Sequence, residues 1–191
     1  MEDIFMIQLY TGEGKGKTTA AIGQAVRAAG NGYPVVFAQF MKGNDSGELH
    51  VLENLPNVKI LRSNKNFGFY STMTEAEKQE ITGIHNQILD ELLETMKKKQ
   101  VFLAVLDEVT YPINWGLLDI EKLKEVLRYG REVSMQSSSR TESVLSNSPE
   151  LVLTGREAED FLAEAADYIT EMKCVRHPYQ MGIAARKGIE Y

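Results

Sequence analysis

The chain has 191 residues, 43% of them hydrophobic and 25% charged, the balance of one soluble globular domain with a full core. Its formal net charge of −6 works against nonspecific nucleic-acid binding, which draws its affinity from cationic surface, and no apolar run approaches the ~20 residues that span a bilayer. The single cysteine, Cys174, excludes an internal disulfide and a cysteine-rich zinc site, the acidic start Met1-Glu2-Asp3 fits no secretory signal, and a reducing, cytoplasmic setting is expected.

Ile4 to Tyr10 reads as a buried strand. It runs into Thr11-Gly12-Glu13-Gly14-Lys15-Gly16-Lys17-Thr18-Thr19 and then into the small-residue helix pattern Ala20 to Ala25. Strand, glycine-rich turn and helix form the context of a phosphate loop. Glycines let backbone N–H groups curl around phosphate oxygens, and a helix N-terminus adds unpaired N–H groups with a partial positive charge. Lys17 is expected on the outer phosphates, and the Thr18 hydroxyl on a divalent cation. The strict pattern would place glycine where Thr11 stands, so a path unlike that of an ordinary ATPase is expected. A glycine-rich turn without ligand is the plain alternative, against which Lys17 and the two threonines weigh. The loop therefore predicts binding of a nucleoside triphosphate.

Gly30-Asn31-Gly32 is a helix stop, and Val35 to Phe40 reads as a second buried strand. The polar stretch Lys42 to Glu48 follows that strand's C-terminal end, where open α/β sheets bind ligands. A short helix (Glu48 to Leu55) and a third strand (Val58 to Leu61) come next. Ser63 to Met73 lacks periodicity and holds Phe67, Phe69 and Tyr70, which either form a platform for a flat ligand or tuck onto the core. Thr74 with Glu77 is a capping-box pattern, followed by an apolar helical face from Ile81 to Met96. His85 lies on that apolar side and is expected to be packed. Phe102 to Leu106 is a strand that ends in Asp107 and Glu108. Either acid can hold a Mg²⁺-like cation, or the two merely cap the strand. Asp119 is the expected N-cap of a helix from Ile120 to Leu127.

From Ser134 to Ser148 seven of fifteen residues are serine, too few large apolar groups to offset ordering entropy. A flexible serine-rich insertion at 132–148 within a single domain is expected. Leu151 to Leu153, Glu157 to Ala166 and Tyr168 to Met172 resume as strand, helix and strand. After the first of these, the Arg156 guanidinium either contacts phosphate or caps the sheet in solvent. Arg27 on the first helix is read as solvated unless it is placed by the ribose. Alternating strands and helices imply a three-layer α/β/α domain with a mainly parallel sheet, like that of the phosphate-loop NTPases.

These pieces together resemble the phosphate-loop type of corrinoid adenosyltransferase, the family that makes adenosylcobalamin. The matching blocks are Thr11 to Thr19, Gln39-Phe40-Met41-Lys42-Gly43 with Gly47-Glu48, Val105 to Tyr111, Leu153-Thr154-Gly155-Arg156, and the ending Val175-Arg176-His177 through Gly188 to Tyr191. The family's loop has the same shortened glycine spacing, which accounts for Thr11. The resemblance implies transfer of the 5′-deoxyadenosyl group of ATP to Co(I) of a corrinoid, with inorganic triphosphate leaving and the nucleotide lying reversed in the loop. It implies that Gly12, Glu13, Gly14, Lys15, Gly16, Lys17, Thr18 and Thr19, with Arg27 and Arg156, bind the nucleotide. Lys17 and Thr18 would be catalytic, and Thr18 with Asp107 or Glu108 would hold Mg²⁺ or Mn²⁺. Phe67, Phe69 and Tyr70 would meet the corrinoid. A flavin-type reductant and a homodimer are implied as well. The family's loop beneath the corrin reads Gly-Phe-Thr-Trp, whereas here Gly68-Phe69-Tyr70-Ser71 carries no tryptophan. A small-molecule kinase and a non-catalytic nucleotide- or corrinoid-binding module are the competing readings.

Overall fold

The computed structural model describes residues 5–137 and 149–189. Its six strands are β1 (Ile7–Thr11), β2 (Val35–Gln39), β3 (Val58–Arg62), β4 (Leu103–Asp107), β5 (Glu150–Thr154) and β6 (Tyr168–Glu171). They form one sheet in the order β3-β2-β4-β5-β1-β6, with every neighbouring pair parallel. β2 and β4 are buried along their whole length, as continuous apolar runs in a parallel sheet must be. The edge strand β6 is exposed throughout.

The helices are α1 (Lys17–Gly30), α2 (Gly47–Leu52), α3 (Glu75–Lys97), α4 (Thr110–Asn114), α5 (Ile120–Ser137) and α6 (Asp160–Ala165). The chain winds outward from β1 to β3 and then returns through β4, β5 and β6. Parallel crossovers keep one hand, so reversing the direction of winding switches the helices to the other face. Accordingly α1 and α2 pack with Phe37, Val105 and Val152 on one side, while α3, α5 and α6 pack with Val36, Leu106 and Leu153 on the other. Ala21, Ala25, Ala28 and Ala29 form the buried stripe of α1; their small size lets its backbone sit close to the sheet. The three-layer parallel architecture expected from the sequence is thus observed.

Thr74 and Glu77 make the reciprocal capping box at the start of α3, and the Glu121 N–H donates to Asp119 Oδ1 at 2.9 Å at the start of α5. Four helices differ from expectation. α2 ends at Leu52 and not at Leu55. α4 is not among the expected helices; Pro112 fits it because it lies in the first turn, where the missing N–H costs no intrahelical bond. α5 runs ten residues beyond Leu127, to Ser137, into the first part of the expected insertion; residues 138–148 lie outside the described residues. α6 is shorter than expected, starting at Asp160 rather than Glu157, where Glu157 takes a left-handed backbone (φ 48°).

Candidate active site

At the C-terminal ends of β1, β2, β4 and β5 the connecting segments converge on one cleft. The loop after β1 is shaped by its glycines. Gly16 is the N-cap of α1 with a left-handed φ of 117°, and no side chain caps the helix. The first N–H groups of α1 are therefore available to an anion. A Cβ on Gly12 or Gly14 would lie 2.6 Å from the Met172 carbonyl oxygen, and the Gly14 N–H donates to that same oxygen at 2.5 Å. The end of β6 is thus pressed onto the loop, so both positions must be glycine. Thr11 stands where the strict motif has glycine because it is still a strand residue, paired with Glu171. The Lys17 ammonium donates to the carbonyls of Gly12 at 2.5 Å and Gly14 at 2.8 Å. Burial and the nearby Arg156 guanidinium push Lys17 below the usual lysine range, so an anionic ligand is needed to stabilise its charge fully.

β4 delivers Asp107 to the same place. Its carboxylate is fully buried, and Oδ1 accepts hydrogen bonds from both Thr18 Oγ1 and Thr154 Oγ1 at 2.8 Å. Oδ2 faces the Lys42 ammonium at 3.3 Å, and Glu108 Oε1 faces it at 3.2 Å. Glu108 sits at a left-handed φ of 62°, uncommon outside glycine and costly unless the surroundings fix it. Its N–H is fixed by Thr154 Oγ1 at 2.9 Å. Thr154 therefore ties both acids to the neighbouring strand. Burial raises the Glu108 carboxyl above its usual range, and Lys42 opposes the rise. Burial alone would lower Lys42, but Asp107 and Glu108 outweigh it and hold the ammonium above its ordinary value.

The cleft over the loop has a volume of about 620 Å³. Loop residues Glu13 to Thr19, with Lys42, Glu108 and Arg156, line it. Arg156 forms an ion pair with Glu13 at 3.2 Å across its mouth, so it faces the cleft and does not simply cap the sheet. It is steered there by the turn after β5. Gly155 has no room for a Cβ beside Thr110, and Thr110 Oγ1 donates to the Arg156 carbonyl at 2.7 Å. Arg27 is not among the lining residues. It lies on the exposed side of α1, bonded to Gln24 at 3.3 Å.

A second cleft of about 580 Å³ adjoins the first, sharing Lys42, Glu48, Glu108 and Tyr111 with it. Phe69, Tyr70 and Trp115 line its far side. The three aromatics singled out from the sequence part ways here. Phe69 is 82% exposed, whereas Phe67 is buried with Met73, Ile81 and Leu117 and supports the loop from beneath. His85 is buried, as expected. It accepts the Met41 N–H on Nε2 at 3.3 Å and bonds the Leu117 carbonyl through Nδ1 at 2.8 Å. Those partners specify a neutral ring with its proton on Nδ1, and burial holds its pKa below the ordinary histidine value.

Thr18, Asp107 and Glu108 form an all-oxygen donor set, the chemistry that hard divalent cations take. Beside it, Gln39 is the register partner of Asp107 and is buried with both amide atoms unpaired among the described residues, as is Ser46 Oγ. Buried polar groups left without partners are unusual; here they suit a bound, hydrated ion or ligand polar atoms. Among the described residues, no cluster of three or more His, Cys, Asp or Glu side chains has metal-holding geometry, so the remaining positions would fall to phosphate oxygens and water. The sequence reading puts Lys42 in the polar stretch at the ligand-binding end of β2 without giving it a role, and it names no site role for Tyr111, Trp115 or His177. Trp115 carried no signal for one.

The matches to known proteins agree with this geometry. The family model for ATP:corrinoid adenosyltransferase BtuR/CobO/CobP matches residues 4–191. Corrinoid adenosyltransferase of Escherichia coli (strain K12) is 29% identical over 97% of this chain and 85% of its own length. Corrinoid adenosyltransferase CobA of Salmonella typhimurium is 29% identical over 100% of this chain and 87% of its own, and the Sinorhizobium sp enzyme is 28% identical over 97% and 80%. With nearly its whole length covered, including the loop, the acid pair and Arg156, this chain belongs to the ATP:corrinoid adenosyltransferase family.

Proposed function

We propose that the chain transfers the 5′-deoxyadenosyl group of ATP to the Co(I) centre of a corrinoid. The observation that carries this reading is the pair of adjoining clefts. One is a phosphate loop and the other an aromatic-lined space, and they meet at Lys42, Glu108 and Tyr111. A phosphoryl-transfer enzyme needs its acceptor at the terminal phosphate; an adenosyl-transfer enzyme needs a large flat acceptor beside the ribose. In the reaction the cobalt electron pair attacks C5′, the C5′–O bond breaks, and its electrons leave with the triphosphate. No proton is transferred, so no general base is required.

The chain's groups then serve the leaving group. Residues 12–19, with the uncapped N–H groups of α1, bind phosphate. Lys17 exchanges the Gly12 and Gly14 carbonyls for phosphate oxygens, and Arg156 releases Glu13 to do the same. Charge placed in advance where charge develops is the largest catalytic term available to such a site. Holding C5′ against cobalt supplies the proximity term. Thr18 with Asp107 or Glu108 would hold Mg²⁺ or Mn²⁺, which supplies positive charge to the triphosphate. Arg27 belongs to this nucleotide set only if the ribose end reaches the outer side of α1.

A flavin-type reductant that brings cobalt to Co(I) and a homodimer belong to the same proposal as implications of the family resemblance, and a cytoplasmic location belongs to it on the single cysteine. No helix among the described residues is long and apolar enough to cross a membrane. Incubation with ATP, Mg²⁺ and chemically reduced cobalamin is expected to give inorganic triphosphate and a light-sensitive Co–C product in equal amounts. ADP as the main nucleotide product would replace this reading with a kinase.

A further inference from the structure

The loop from Phe67 to Met73 carries no tryptophan. The structure places the chain's single tryptophan against that loop from another element. Trp115 is the C-cap of α4. Its ring stacks on Tyr70 with centroids 4.8 Å apart and planes 14° from parallel. Tyr111, which lines both clefts, leans on the same indole at 5.2 Å. The Lys78 ammonium of α3 also lies over the Tyr70 ring, 5.0 Å from its centroid, and is itself held by Glu75 at 2.8 Å. With an indole and an ammonium both on it, Tyr70 is engaged by the protein's own groups and is not a free platform.

The rest of the loop has the opposite character. Phe67 and Met73 root its two ends in the core. Between them Gly68 turns at a left-handed φ of 73°, and Phe69 stands out into the second cleft. The aromatic free to meet a flat ligand is thus Phe69, and its position depends on what fixes its neighbour.

Resting on the adenosyl-transfer reading above, we propose that Trp115 is a positioning residue for the corrinoid side of the site. By clamping Tyr70 it holds the 67–73 loop, and with it Phe69, over the second cleft. α4 begins two residues after Glu108, so the clamp also ties the loop to the acid pair on the nucleotide side. An exposed ring on an unanchored loop would have to be ordered at each binding event, and that cost would weaken affinity for the flat ligand.

The test separates the two substrates and has a readout independent of turnover. With chemically reduced cobalamin, Trp115→Ala is expected to raise the corrinoid KM about three- to tenfold, the scale of one aromatic stack, and to leave the ATP KM within about twofold. Trp115→Phe keeps a stacking face and is expected to restore most of the loss. Equal change in both KM values, or none in the corrinoid KM, overturns the assignment. Separately, Tyr70→Leu removes the stacking partner of the only tryptophan and is expected to raise acrylamide quenching of its fluorescence about twofold; unchanged quenching also overturns it. Should the wild-type protein alkylate no cobalamin, adenosyl transfer itself fails, and the quenching comparison alone then decides whether the clamp exists. If Trp115→Ala does not fold, Trp115→Phe and Tyr70→Leu carry the decision.

Discussion

The two adjoining clefts are built by different means. The nucleotide side is a backbone construction: glycines without room for a Cβ, an uncapped helix end and a fully buried carboxylate with two hydroxyl donors. The side proposed for the corrinoid is a side-chain construction, in which a short loop is held by stacked rings and one ring is left in solvent. Backbone constructions tolerate little substitution because the constraint is steric and every member is needed. Side-chain constructions degrade by degrees, since each ring contributes about 0.5–1.5 kcal/mol and another ring can substitute. The substitutions below test that contrast, beginning with the largest expected effect.

Lys17→Ala should fall hardest on turnover. It removes the ammonium bonded to the Gly12 and Gly14 carbonyls of the loop, and the loss of a single preorganised charge-stabilising donor costs about 10²–10³-fold in kcat. The corrinoid KM should stay within about twofold, because Lys17 lines the first cleft and not the second. Steady-state kinetics with both substrates varied checks this. Equal losses in kcat and in corrinoid affinity would merge the two clefts into one functional unit and end the comparison.

Gly14→Ala comes next. The new methyl would meet the Met172 and Lys173 carbonyl oxygens at 2.6 and 2.8 Å, backbone atoms with no freedom to turn aside. The loop or the end of β6 must shift, at a cost of about 1–3 kcal/mol. A lower denaturant midpoint together with weaker ATP binding is expected.

How much of each side was legible in the sequence follows from the same contrast. Gly12, Gly14 and Gly16 could be read because a backbone that must approach phosphate closely leaves few residue choices, and the motif records them. Asp107 and Glu108 could be placed at a strand's C-terminal end because the apolar run before them marks the strand. Arg156 was left open, since nothing in its spacing shows that Gly155 and Thr110 turn it inward. On the other side, Phe67, Phe69 and Tyr70 look equivalent as three aromatics in one loop. Their fates, buried support, free ring and clamped ring, depend on Met73, Trp115 and Lys78, contacts that no local pattern encodes. The lengths of α4 and α5 were missed for a related reason. Tertiary packing of Ile113 in α4 and of Tyr129 in the later part of α5 against the core supports helix that local propensity leaves marginal.

His85 offers a gentler probe, confined to the corrinoid side because it supports Met41, which lines only the second cleft. Its pKa is depressed in the folded chain, so between the unfolded value near 6.5 and the lower folded value the unfolded chain binds more protons. Its contribution to stability is therefore complete above about pH 6.5 and is lost as pH falls through that window, by at most about 1.4 kcal/mol per pH unit. The raised Glu108 carboxyl has the opposite sign, binding its proton in the folded state first. The difference between wild type and His85→Gln isolates the histidine. Urea unfolding at pH 7.5 and 5.5 should show the larger drop in the wild type, with the variant's profile flatter.

The smallest effect reverses the sign of the glycine result. Gly23 lies inside α1, nine residues beyond Gly14, and a Cβ there meets nothing within 4 Å. Its backbone is helical, so alanine brings no clash and removes the conformational freedom that glycine has in the unfolded chain. Gly23→Ala should stabilise the protein by about 0.5–1 kcal/mol and leave both KM values where they are, as read by thermal unfolding and kinetics on one preparation. If it destabilised the protein as Gly14→Ala is expected to, the cost at position 14 would reflect a general intolerance of α1 and its loop to any added volume. If the two substitutions move stability in opposite directions, the constraint lies where β6 meets the loop, the contact that shapes the phosphate-binding backbone.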